Sequence, residues 1–600
     1  MSGQHSELFK SKVLGHPSGL FVLFFTEMWE RFSYYGMRAL LVMFLTASLT
    51  DSGWGWPREH AFALFGTYTA LVYISTMLGG YFADKVWGYR KAVVVGAVLM
   101  TLGHGAMALE TPWSIYLGLT LLVFGSGFFK PNMTSIISHM YINHQEKKDG
   151  AYTIFYMGVN AGAFLGILLC GYLGEKVGWS IGFGLAGVFM LFGMIQFVLS
   201  QNIFGDIGLK PDKIHDLESA SAASGAEVID APIKNEITAE DGSEGKDSLP
   251  FPMWQKILIA LMTTAGLVWI LNDPASKIYD FNVLNFNFLG MSGPNFTILL
   301  ALVLFLFLLI YRLTQYGAVT RSKMLAVWFF AFLTIFFWAI FEQAPGSLTV
   351  FARDYTDRDL SGGAAMAFKI INTLMTIIPL GIITWVLGLL FRQTFKKYAM
   401  ANLVLGLSFV IIWGVAIWML VVEFQKPTAE VPASWFGVLN SLFIIAMAPL
   451  FSKWWESKYN PSANMKFGIG LTLLGIGMAC VAFGAGGIAP GAETAAVSMI
   501  WLILVYFFHT MGELCISPVG LSYVSKLVPG KMIAFMFGIW YIAVAIGMKS
   551  AGKFSEYSET VAKEEGISYF FWILTIVPIA LGVLSVLLTP VIKKLMHGVK

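Results

Sequence analysis

The chain has 600 residues, of which 57% are hydrophobic and 12% charged, with a net charge of +3. Soluble proteins carry about 25% charged residues, and a mean hydropathy of +0.70 means more apolar surface than water-facing cores can hide, so lipid must solvate much of the chain. Secreted, fibrous and disordered classes are excluded and nucleic-acid binding has no basic excess to support it, while Cys170, Cys480 and Cys515, all inside apolar stretches, point to neither a disulfide framework nor a metal site.

A bilayer crossing needs about 20 mostly apolar residues. Such runs occur at 18–48, 61–83, 90–109, 113–139, 151–174, 179–201, 254–272, 296–315, 324–349, 364–391, 399–423, 434–452, 467–485, 497–525, 532–552 and 568–592, sixteen in all. Each is too long for a strand and lacks strict alternation, so the fold class is an all-α polytopic membrane protein rather than a barrel. With the N-terminus placed inside, most of the 39 Lys and Arg fall in cytoplasmic connections such as "DKVWGYRK" at 84–91 and "RQTFKK" at 392–397, and both termini are expected in the cytoplasm. The first run is longer than a signal-peptide core and contains charges, so it is expected to stay in the mature protein.

This pattern divides the chain into a six-helix bundle at 1–201, a linker at 202–253, two further spans within 254–322, and a second bundle at 323–600. The linker is acidic, Ser/Ala/Gly-rich and nearly free of aromatics, which reads as a flexible cytoplasmic segment, with a regulatory segment as the competing reading.

Ionised side chains inside spans cost about 2.5–3.5 kcal/mol each and usually face a cavity or a partner. The first span holds Glu27, Glu30, Arg31 and Arg38, a cost on the order of 10 kcal/mol if all faced lipid. Glu27, Arg31, Tyr34 and Arg38 step by four, three and four along one helical stripe, with Tyr35 at its edge. Helix-stabilising Glu–Arg bridges are the plainer alternative. Lys130, Glu342 and Glu513 lie in other spans. At 1.5 Å per residue, Arg38 and Glu342 lie roughly 30 and 27 Å from the cytoplasmic starts of their helices, so the two are expected to meet in the outer half. Lys130 and Glu513 share a depth from the external ends and are expected to pair when the site is empty. Two cation–carboxylate pairs, each joining the two halves of the chain, suit an alternating-access device. Lys369 and Lys549, near external helix ends, read as snorkelling.

Seven motifs then carry a resemblance. "EMWERFSYYG" at 27–36, "GGYFADKVWGYRK" at 79–91, "FGSGFFKPNMTSIISHMY" at 124–141, "FYMGVNAGAFLG" at 155–166, "FWAIFEQAPGSL" at 337–348, "VLNSLFIIAMAPLFSKWW" at 438–455 and "GELCISPVGLS" at 512–522 resemble those of the proton-dependent oligopeptide transporters of the major facilitator superfamily. The resemblance implies two six-helix bundles, with 254–315 in the place of the two extra helices that bacterial members carry. The segment at about 360–430 departs from the family pattern as an inserted helix pair, which keeps the parity of the later spans. It also makes Asn372 a false match for the eighth-helix asparagine, which Asn440 fits better.

Carried over residue by residue, the resemblance implies proton coupling through Glu27, Glu30 and Arg31, to which the outer pair Arg38 and Glu342 is added. It implies Arg31, Tyr35 and Lys130 near a peptide carboxylate, Glu513, Asn160 and Asn440 at its amino terminus, and Tyr73 lining the cavity or packing the bundle. His509, four residues before Glu513, reads as a tuning group or a core histidine. The function so implied is inward symport of di- and tripeptides with protons in a bacterial plasma membrane, by a monomer, with no cofactor. A carrier of nitrate, a nucleoside or an amino-acid conjugate is the alternative. An enzyme would need a constellation such as GxSxG or HExxH, and neither is in the sequence.

Overall fold

The computed structural model describes residues 9–210, 250–527 and 533–599. With no water in the hydrocarbon to satisfy backbone groups, apolar segments close their hydrogen bonds within helices, and each of the sixteen expected spans contains a long helix. The first half comprises α1 (Ser18–Thr46), α2 (Arg58–Phe82), α3 (Tyr89–Met107), α4 (Pro112–Met140), α5 (Gln145–Lys176) and α6 (Trp179–Ser200). Next come α7 (Met253–Ile278) and α8 (Gly293–Thr314), then α9 (Ala318–Phe341), the short α10 (Ser347–Asp354), α11 (Gly362–Thr394) and α12 (Ala399–Gln425). The chain closes with α13 (Trp435–Glu456), α14 (Ala463–Gly484), α15 (Ile500–Leu527), α16 (Ile533–Glu564), α17 (Ile567–Leu587) and the short α18 (Thr589–Leu595). Thirteen of the helices among the described residues are long and apolar enough to cross a membrane. The sixteen include α1, α3 and α16 besides; α1 and α16 carry several charges each, and those charges are the informative ones.

Helices α1 to α6 form one bundle and α9 with α13 to α17 the other. The bundles meet along two seams, α2 against α16 and α5 against α13. Within the first bundle, Gly158, Gly162 and Gly166 line one face of α5 and let α1 close on it. A Cβ at Gly162 would stand 2.1 Å from the Met28 carbonyl oxygen, and one at Gly166 2.2 Å from that of Phe32. This backbone-to-backbone packing, the small-residue interface of membrane helices, fixes the charged stripe of α1.

At the end of the molecule where α1 finishes and α2 begins, referred to as the 47–57 end, two-residue strands cross-link the loops. Thr356–Asp357 pairs in parallel with Val497–Ser498, Thr356 opposite Val497, and Asp359–Leu360 pairs antiparallel with Ala429–Glu430, Asp359 opposite Glu430.

Four expectations change. The span expected at 324–349 is broken: α9 ends at Phe341, Glu342 caps it and α10 restarts at Ser347. The linker expected at 202–253 begins later, because Gln201–Phe204 makes a helical turn and Arg90 of α3 holds the carbonyls of Gly205 and Ile207; residues 211–249 lie outside the described residues. The inserted pair at about 360–430 leans on the first bundle rather than staying with its own: α12 packs along α6, Phe409 meets Phe25 and Trp29 edge-on, and the Tyr172 hydroxyl donates to Glu423 at 2.7 Å. Lastly, Lys369 and Lys549 do not snorkel. Both are buried; Lys369 donates to the Lys426 carbonyl at 2.5 Å, and Lys549 to Thr67 at 2.8 Å and to Asp273.

Candidate functional site

The stripe of α1 faces the interior, as its charges require. Arg31 Nε lies 2.7 Å from Glu27 and 2.9 Å from Glu30, and all three residues are buried. Only the contact with Glu27 is an aligned hydrogen bond. Neither Glu30 oxygen accepts one, and Glu27 Oε2 is also left without a donor. One guanidinium thus serves two carboxylates, so a single proton changes the charge of the cluster by one without dismantling it.

Two turns further on, the Arg38 guanidinium sits among three rings, 5.9 Å from the centroid of Tyr34, 5.7 Å from Tyr35 and 5.8 Å from Phe65. Its ion-pair partner is Glu342, the buried cap of α9. The expected outer pair is therefore formed, and helix termination at Phe341 places it: the carboxylate leaves the helix where the chain turns toward α10.

Lys130 and Glu513, expected to pair when the site is empty, take other partners instead. The Lys130 ammonium lies 4.4 Å from the Tyr34 ring centroid and 5.3 Å from that of Tyr73, cation–π contacts that hold a desolvated charge. Glu513 instead accepts from Asn440 Nδ2 at 2.9 Å, and the same amide donates to Thr510 at 3.1 Å. Each pole has found a neutral partner in its own half, which leaves a cation on the first bundle and a carboxylate on the second. Asn372, set aside in favour of Asn440, accepts from Trp435 Nε1 at 3.2 Å. Asn160 Nδ2 bonds back to the Tyr156 carbonyl at 2.9 Å. His509 does not bond to Glu513; its ring stacks on Phe341 at 6.0 Å and both nitrogens are buried without partners.

Sequence reasoning left out two contributors. Tyr34, on the stripe but given no role, is the ring shared by Arg38 and Lys130, and its hydroxyl is buried with no partner. Thr510 steadies Asn440. The first was legible from the i, i+4 spacing of Tyr34 and Arg38; the second, three residues before Glu513, lies on the same helical face.

Every ion pair between the two bundles among the described residues lies toward the 47–57 end: Arg38 with Glu342, Arg58 with Asp354 at 2.7 Å and with Glu559 at 3.2 Å, and Lys176 with Glu430. Glu175 adds a cap on α13, accepting from the Ala433 and Ser434 amides at 2.8 and 2.9 Å. That end is tied shut, and the Lys130/Glu513 level lies beyond the ties.

The sequence profile described as the POT family matches residues 90–250 and 420–573, parts of both bundles. The uncharacterized transporter YclF of Bacillus subtilis is 30% identical, aligned over 98% of this chain and 96% of that protein. The di-/tripeptide transporter of Lactococcus lactis subsp. cremoris is 28% identical over 98% of each chain. Among solved structures, that of peptide transporter POT in complex with sulfate superposes at a TM-score of 0.66 with 28% identity, covering 99% of both chains, which shows the major facilitator fold. Matched by profile in both bundles and aligned nearly end to end with its relatives, this membrane-embedded chain belongs to the POT family of transporters.

Proposed function

We propose that this protein imports di- and tripeptides together with protons across a bacterial plasma membrane, acting as a monomer with both termini and the linker in the cytoplasm and the 47–57 end outside. The observation that carries this reading is the pair of separated poles. A zwitterionic backbone needs a cation at its carboxylate and an acceptor at its ammonium group, and Lys130 over two tyrosine rings and Glu513 beside Asn440 present these from opposite bundles. A peptide joining them would draw the halves together, and Arg31, Tyr35, Asn160 and Tyr73 are the proposed further contacts.

The proton route in this reading runs through the carboxylates that share cations. A proton taken by Glu342 cancels its attraction for Arg38 and loosens the 47–57 end, and a proton on Glu27 or Glu30 resets the Arg31 cluster. Protons are then the coupling ion and no cofactor is required. The relatives named as peptide and di-/tripeptide transporters support the substrate class.

Uptake of labelled dialanine into proteoliposomes under an imposed inward proton gradient tests the proposal. Accumulation that collapses with the gradient and is competed by unlabelled dipeptide is expected. Competition by nitrate or nucleosides in place of peptide would move the protein to another substrate class.

A further inference from the structure

Outside the charge system above lies a second cluster of charges, largely buried, between α7, which belongs to neither bundle, and α16 of the second bundle. Asp273, in the last turns of α7, is 8% exposed and contacts three ammonium groups: Lys549 and Lys553 of α16 and, at 3.1 Å, Lys277 of its own helix. Glu556 of α16 closes the network on Lys277 and on Lys553. Lys549, 3% exposed, also donates to Thr67 Oγ1 of α2 at 2.8 Å, and that hydroxyl donates to the Ile270 carbonyl of α7 at 3.1 Å. Thr67 is therefore threaded between α7 and α16, and three helices from three parts of the chain meet on one hydroxyl.

The place matters. Thr67 follows Gly66, where α2 and α16 touch backbone to backbone: a Cβ on Gly66 would stand 2.9 Å from the Gly552 Cα, and one on Gly552 2.7 Å from the Gly66 Cα. A seam without side chains at its crossing lets two helices turn against each other without unlocking any interdigitation. It also supplies little to keep them in register. The charge cluster beside it does, because a buried ammonium that lost its carboxylate would be left uncompensated.

We propose that Asp273 is a positioning residue of the transport cycle. From a helix pair outside both bundles it holds Lys549 of α16 against Thr67 of α2, and so sets the Gly66–Gly552 crossing as the axis about which the halves turn. The inference rests on the reading of this protein as an alternating-access carrier, and its test separates the two.

Spin labels at Ser52 and Glu493, exposed on opposite bundles at the 47–57 end, report the relative placement of the halves in nanodiscs without any substrate. Asp273→Ala is expected to at least double the width of their distance distribution. In proteoliposomes it should lower the maximal rate of dialanine uptake about tenfold with KM changed less than about twofold, a loss confined to the turning of the carrier. Asp273→Glu should restore both. Thr67→Val keeps the ion pairs and removes only the link to α2; it should widen the distribution as well, and it decides the matter alone if Asp273→Ala does not fold. An unchanged distribution in the folded variant, or a widening that Asp273→Glu fails to reverse, overturns the proposal. A wild-type protein that takes up no dialanine would instead sink the peptide reading, leaving the label result to stand on its own.

Discussion

Two cation–carboxylate combinations have the same design in this chain, a cation on the first bundle and an acid on the second, yet only one is a pair. Arg38 and Glu342 are joined, and Lys130 and Glu513 are apart. The difference lies in what else each group can reach. Glu342 caps α9 and is buried beside Arg38, which has only ring faces as other company, so the ion pair is the one arrangement that compensates both charges. Lys130 has two tyrosine rings and Glu513 has an amide, so each is partly compensated at home and free to receive something else. In the proposed cycle the formed pair is the latch and the unformed one the receptacle for the peptide.

The largest effect is expected from breaking the latch. Removing one partner of a buried ion pair typically costs about 3–5 kcal/mol, here drawn from the closed state of the 47–57 end. Glu342→Gln should abolish gradient-driven accumulation of dialanine while peptide exchange across proteoliposome membranes continues; normal accumulation would show that the latch is not the coupling step.

The receptacle is sharpened by a crossed comparison. Truncating a buried charge that meets a ligand charge costs about 2–5 kcal/mol. Lys130→Ala should weaken free dialanine about a hundredfold, equivalent to about 2.7 kcal/mol, and weaken the C-terminally amidated peptide far less. Glu513→Ala should show the mirror pattern with the N-acetylated peptide. Equal losses for free, amidated and acetylated ligands in both variants would refute the assigned polarity.

A smaller change is expected at Asn440, whose amide orients Glu513 through a charge-assisted bond of about 1.5–3 kcal/mol. Asn440→Ala should weaken free dialanine about tenfold and leave the N-acetylated peptide nearly unaffected. If the acetylated peptide loses as much, Asn440 acts on the ligand elsewhere.

The smallest effect concerns the surface side of the closed end. Burial pushes the Glu430 carboxyl up, but the hydrogen bond and charge of Lys176, together with Arg358, outweigh it and hold the group below its ordinary value. A carboxyl lowered in the folded state stabilises it at neutral pH and stops doing so as acid titrates the group. Because Glu430 is partly exposed, Glu430→Gln should cost at most about 1 kcal/mol at pH 7. The gap between wild type and variant in thermal unfolding should close below about pH 4; a gap that persists in acid would assign the loss to something other than this ion pair.

Much of this was legible from the chain alone, because lipid imposes strict rules. A buried backbone must be helical and a buried charge must have company, so the sixteen helices, the inward stripe of α1 and the meeting of Arg38 with Glu342 followed from run lengths, spacing and depth. Spacing also carried Tyr34, on the same stripe. What depth could not convey was which of several nearby partners each charge would take. Lys130 and Glu513 share a level, but rings and an amide supplied by other helices compete for them, and such competition is decided only when those helices are packed. The same holds for Lys549: its position near a helix end suits snorkelling, and the seam of α2, α7 and α16 buries it on Asp273 instead. Helix existence is a local consequence of apolar sequence in lipid, whereas the pairing of charges depends on neighbours hundreds of residues away, and tertiary structure alone brings those together.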